Sequence, residues 1–121
     1  MSLPTALVLE EALSLWGGVD PATGQIIDVH HPQHGANVSG RVLVMPAGRG
    51  SSSSASVLVE AVRAGTAPAA IVLGEPDLIL SIGSAVAQEL YGKLVPVVVV
   101  AVDRIGEIVD GASVDLEAVG R

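Results

Sequence analysis

Two uninterrupted apolar runs, "APAAIVLG" at 67–74 and "LVPVVVVAV" at 94–102, constrain this chain more than any other feature. Each is bounded by Pro and Gly, and neither alternates apolar with polar residues. Such runs read as strands buried on both faces, which belong to parallel sheets covered by helices. The segment between them, "ILSIGSAVAQELYG", has helical spacing. Upstream, "RVLVMP" reads as a short strand entering a glycine loop. From Ser54 to Ala64 the apolar positions Val57, Leu58, Ala61 and Val62 share one helical face, with Gly65 placed as a C-terminal stop. The pattern is βαβαβ, and it predicts an α/β domain of two or three layers. In "TALVLEEALSLWGGV" and beyond the "DPATG" turn at Asp20 to Gly24, strands are expected on both sides of the turn, ending near Ile27. The polar connector "DVHHPQHGANVSG" follows, and Pro32 disfavours helix at His31. The tail "GEIVDGASVDLEAVGR" predicts a final strand, with Gly111 in the turn before it.

The length of 121 residues fits a single domain, 1–121, able to bury about two thirds of its unfolded surface. The core must be built from small branched side chains, because the chain has no Phe, one Tyr and one Trp. A formal charge of −7 repels phosphate backbones and argues against nucleic acid as a partner. With no cysteine the chain supplies no thiolate to zinc or to an iron–sulfur cluster. Leu94 to Val102 is about half the roughly 20 residues of a membrane helix, and the N-terminus lacks the sections of a signal peptide. The expectation is a soluble cytoplasmic protein that does not enter membranes.

The chemistry-bearing stretch is "MPAGRGSSSSASVLVEAVRAG", residues 45–65. Gly48 and Gly50 let the backbone turn sharply, and Ser51 and Ser52 arrive where the first amides of a helix are unpaired. That end favours negative charge by roughly 0.3 to 1 kcal/mol when exposed and up to about 2 when partly buried. Serine is also a good N-cap, so one of the four hydroxyls could cap the helix while the others are solvated spacers. A Walker loop is excluded, since it needs Lys after the last Gly and Ser51 stands there.

The "D-x-x-T-G" turn at Asp20 to Gly24, the "HP-x-x-G" at His31 to Gly35, the "GRGSSSS" loop and the "PAAIVL" strand together resemble the small subunit of the aconitase X family. The resemblance runs through most of the chain. It implies a swivelling β/β/α domain, as in the aconitase C-terminal domain, that closes over a large aconitase X catalytic subunit. The iron–sulfur cluster is then expected on that partner, with no cofactor bound by this chain. Family members include cis-3-hydroxy-L-proline dehydratase and phosphomevalonate dehydratase. The small hydroxy acid substrate would therefore be cis-3-hydroxy-L-proline first and mevalonate 5-phosphate second. A phosphorylated substrate calls for more cations than Arg41, Arg49 and Arg63 supply in a chain this acidic.

Dehydrating a β-hydroxy acid needs a base for the proton beside the carboxylate and a Lewis acid for the departing hydroxyl. By resemblance to the "Gly-Ser-Ser-Arg" loop of aconitase, the proton acceptor maps onto Ser51. Its alkoxide would be stabilised by the opening amides of the helix, with Gly50 giving close approach. Ser52 and Ser53 become candidate donors to the substrate carboxylate. Aconitase has Arg after its two serines where this chain has Ser53. Arg49, before the serines, is then either a substrate-binding or loop-anchoring cation or a solvated charge.

His30, His31 and His34 lie close in sequence, but adjacent histidines point apart and no carboxylate cluster matches them, so no metal site is expected. His31 either lines the active-site cleft or satisfies the loop backbone. Asp20 is expected to stabilise its own turn, while Glu75 and Asp77 read as a solvated loop and neither as the base. Two other functions fit the swivelling fold: a phosphohistidine carrier, disfavoured because the loop at the helix holds serines, and a non-catalytic module that binds a carboxylate.

Overall fold

The computed structural model describes residues 3–119. Four parallel strands form one sheet in the order β1 (Ala6–Val8), β2 (Val42–Met45), β3 (Ala70–Leu73), β4 (Val97–Val99). A four-residue turn, α1 (Leu15–Gly18), lies between β1 and β2, although Trp16 and Gly17 leave helical angles within it. Helix α2 (Ser53–Ala64) joins β2 to β3, and α3 (Leu78–Tyr91) joins β3 to β4. Both end on a left-handed glycine, Gly65 and Gly92. Two short turns, α4 (Val102–Ile105) and α5 (Leu116–Val119), complete the described chain.

The apolar runs become strands because both faces are covered, and side chains sort by size across the sheet. Leu43, Met45, Ile71 and Leu73 enter the core beneath α2 and α3, together with Leu58, Val62 and Leu80. Their neighbours Val42, Val44, Ala70 and Val72 face the other way, against Val100, Val114 and the tail. Burying each such aliphatic side chain contributes roughly 1.5–3 kcal/mol. In α2 the buried positions are Ser54, Leu58, Ala61 and Val62, and in α3 they are Leu80, Gly83, Ser84 and Ala87, one face of each helix. The helices touch closely where a Cβ on Gly83 would lie 3.1 Å from the Ala55 backbone. The "LVPVVVVAV" run is only partly buried, because β4 is the sheet edge: Val97 and Val98 are half-buried, and Val99, Leu94 and Val102 are exposed.

Two expectations are corrected. Of the strands expected on both sides of the Asp20–Gly24 turn, the upstream segment yields only β1, parallel to β2, and the residues at the turn pair in single antiparallel bridges, Val19 with Ile26 and Gln25 with Asn37. The reason is local: Asp20, Thr23, Asp28 and Asn37 each accept the amide two residues on, at 2.8–3.1 Å, bending the backbone away from a ladder. The tail runs antiparallel beside β1, through Ala6 N–H to Ala112 O and Val114 N–H to Pro4 O, but only Thr5 and Ser113 form a bridge. Beyond it the Asp115 carboxylate accepts the Glu117 amide and turns the chain into α5 instead of a strand.

Candidate functional site

The serines stand at the C-terminal edge of the sheet, where β2 leaves the core and α2 begins. The glycine loop is fixed from two sides: Leu13 pairs with Gly48 in a parallel bridge, and Gly50 adopts φ +97°, a left-handed angle that glycine accommodates. Ser51 is half-buried. Its Oγ accepts the Ser53 amide at 3.1 Å, and its carbonyl accepts the Ser54 amide at 2.9 Å. Ser51 thus holds its hydroxyl against one opening amide of α2, that of Ser53, and Ser52, formally the cap residue, makes no side-chain cap bond. Ser52 is exposed and Ser53 half-buried beside it.

Ser54 plays a part the sequence did not disclose. Its hydroxyl is buried, accepts the Trp16 amide at 3.2 Å and lies 3.4 Å from Ser14 Oγ, which donates to the Trp16 carbonyl. The fourth serine therefore straps α1 onto the start of α2 and leaves the Trp16 indole 59% exposed at the rim. The only earlier hint was a lone Trp followed by Gly-Gly, at the end of a segment expected to be strand.

Asp77 was also missed. Far from being a solvated loop residue, it caps α3: Oδ1 accepts the Leu80 amide at 3.0 Å, and Oδ2 sits where a Cβ on Gly48 would fall. A small crevice joins these parts. It is lined by Leu13 and Leu15, by Arg49, Gly50 and Ser51, by Ser54, and by Asp77 and Leu80. Its volume is about 10 Å³, no more than one water needs. Ser51 faces a crevice too small for an organic acid.

Arg49 is exposed beside Ser51 and makes no hydrogen bond or ion pair among the described residues. Arg41 is engaged, donating to Ala6 O at 2.6 Å, and Arg63 pairs with Glu60 on α2. That pairing holds the Glu60 carboxyl below its usual value, chiefly through the Arg63 hydrogen bond, and raises Arg63.

The histidines separate. His31 is buried with both ring nitrogens satisfied: Nδ1 accepts the Gln33 amide at 3.0 Å, so Nε2 carries the proton and donates to Glu11 O at 3.1 Å. Of the two roles open to His31, satisfying the loop backbone is the one this geometry displays. It reaches the serine loop only through the backbone from Glu11 to Leu13. His30 and His34 are exposed, and neither lies at the start of a helix. Among the described residues no three His, Asp or Glu side chains converge as metal ligands. Nor does a chain without cysteine offer the thiolates an iron–sulfur cluster takes.

Comparison with known proteins places these parts in a family. The chain is 53% identical over 85 residues to the cis-3-hydroxy-L-proline dehydratase of Pseudomonas aeruginosa, a match covering 70% of this chain and 15% of that protein. It is 49% identical over 77 residues to the phosphomevalonate dehydratase small subunit of Methanopyrus kandleri, covering 64% of this chain and 57% of the relative. Aconitase X of Thermococcus kodakaraensis, solved in its holo-form, superposes with a TM-score of 0.79 at 29% identity, over 89% of this chain and 76% of that one. The α/β fold is thus the swivel-type fold expected from the motifs. The aconitase X swivel domain model matches residues 4–120, almost the whole sequence, and the chain belongs to that family.

Proposed function

We propose that this chain is the small, swivelling subunit of a heteromeric aconitase X-type hydro-lyase, that its substrate is cis-3-hydroxy-L-proline, and that Ser51 removes the proton. The observation that carries this reading is the Ser51 hydroxyl set against the Ser53 amide at the start of α2, in a crevice that cannot enclose a substrate by itself. In the reaction the Ser51 alkoxide takes the proton from the carbon beside the carboxylate and becomes a hydroxyl, and the electron pair left behind forms the double bond as hydroxide departs from the next carbon. That hydroxide and the proton on Ser51 leave together as water, which restores the alkoxide.

The helix end alone supplies up to about 2 kcal/mol, or roughly 1.5 pK units, which leaves a serine hydroxyl protonated at neutral pH. The remainder is assigned to donors and positive charge that the larger chain brings on closure, because expelling water by itself disfavours the alkoxide. Arg49 is the cation this wall contributes, and Ser52 and Ser53 are hydroxyls within reach of a carboxylate seated there. His31 is left as a support of the loop backbone. The iron–sulfur centre, for which this chain has no thiolates, belongs in this reading to the larger subunit.

The two named activities among the relatives define the alternatives. Hydroxyproline is favoured over mevalonate 5-phosphate because Arg41 and Arg63 are already engaged, which leaves Arg49 to meet one carboxylate rather than a carboxylate and a phosphate. The test is to mix the purified chain with the large aconitase X subunit of the same organism and follow water loss from both acids. Activity on hydroxyproline should appear only in the mixture and fall at least ~100-fold in Ser51→Ala while the complex survives. A Ser51→Ala mixture within about tenfold of wild type removes serine as the base. Turnover of mevalonate 5-phosphate alone transfers the reading to the second substrate, and phosphoryl label on histidine transfers it to a carrier.

A further inference from the structure

Helix α3 exposes a straight apolar ridge. Leu78, Ile82, Val86 and Leu90, each one turn from the next, are 74%, 49%, 41% and 61% exposed, while the opposite face carries Leu80, Gly83, Ser84 and Ala87 into the core. A surface helix normally turns polar residues outward, so four large aliphatics in register on the outer face mark a contact surface. Beside the ridge, between α2 and α3, lies a groove of about 260 Å³ whose walls include Ala55, Val59, Gly83 and Val86. The close approach of Gly83 to Ala55 keeps its floor free of side chains.

We propose that this ridge and groove seat the larger hydro-lyase chain; the proposal rests on the reading of this chain as a small subunit. Two observations select that occupant. The ridge begins at the serine site: Leu78 lies between Asp77 and Ile79, both of which line the Ser51 crevice, so a body that completes the crevice already touches the first turn of α3. The relatives also carry this domain either as 15% of one long polypeptide or as a named small subunit, so a larger body accompanies the same fold. Exposed Glu75 and Glu89 stand near the two ends of the ridge on a chain of charge −7. The complementary face is therefore an apolar strip, with a side chain inserted into the groove and basic residues at its borders.

The test is titration of the large subunit with the full chain and with Ile82→Glu/Val86→Glu, two exposed positions. The double variant should bind at least roughly 30-fold more weakly, the scale of a lost hot spot. Ser51→Ala, outside the ridge, should bind like wild type. Hydrogen exchange on the wild-type complex gives an independent reading should the variant misfold, with protection expected along 78–90. Wild-type affinity of the double variant, absence of protection on α3, or a shift of the free chain from dimer to monomer without loss of affinity overturns the assignment. Those results leave the role of Ser51 standing if Ser51→Ala still abolishes turnover. An intact complex that turns over neither acid strikes the enzymatic reading and leaves the ridge in place.

Discussion

Helices α2 and α3 leave the same edge of the sheet side by side, each end on a left-handed glycine, and differ in how they begin. α3 starts on Asp77, whose carboxylate takes the Leu80 amide and meets the positive end of the helix with a negative charge. α2 starts on a run of serines: Ser51 supplies a neutral hydroxyl, Ser52 caps nothing, and no acidic residue occupies the first turn. One helix meets its positive end with a resident carboxylate, and the other with a neutral hydroxyl and no charge. The pair teaches that a shared architecture does not decide where a reaction is placed. In the reading proposed above, the choice of Asp or Ser at one position does.

The largest expected effect comes from making α2 resemble α3. Ser51→Asp fills the open end with a resident anion, so the assembled enzyme should lose at least ~100-fold in rate. The isolated chain should hold its stability or gain up to about 1 kcal/mol in urea melts. Retained activity would break the contrast. Next is Gly48→Ala, whose Cβ would fall on the Asp77 carboxylate and force the cap off α3. A loss of about 1–3 kcal/mol is expected from chemical denaturation. Asp77→Ala removes the cap without that collision and should cost about 1 kcal/mol, recovered largely by Asp77→Asn.

The smallest effect is far from either helix start, at Glu60 and Arg63. With the Glu60 carboxyl held below its ordinary value, the contribution of the pair is present above the ordinary value and disappears as the pH falls through the lowered one. Both groups are solvent-exposed, so Glu60→Gln should barely move the thermal midpoint at neutral pH, and should move it less still in strong acid.

The repeating core was legible because its signals are long. The apolar runs mark buried strands, the spacing of Val57, Leu58, Ala61 and Val62 marks one helical face, and the glycine at 65 marks its end; α2 begins one residue from where that spacing places it. The same holds for the Asp20 turn, where the carboxylate takes the Ala22 amide. Illegible were features that depend on which segments meet. Asp77 looks like any polar residue after a proline until Gly48 is seen beside it, and Ser54 looks like a spacer until α1 folds onto it. The tail was misjudged because its valines and leucine fit a strand as well as a short turn. His31 could have faced either way, and only the coordinates of Gln33 and Glu11 decide its tautomer.

The strand order runs 1-2-3-4 without a reversal. In open α/β sheets ligands lodge where neighbouring connections depart toward opposite faces and part to leave a gap. A sheet wound in one direction has no such parting point, and its loops lie over one another like shingles. The hollow beside Ser51 accordingly measures only about 10 Å³, and the roomier ones of this chain, about 260 Å³ between α2 and α3 and about 380 Å³ beside Gly65 and Leu94, lie away from the serines.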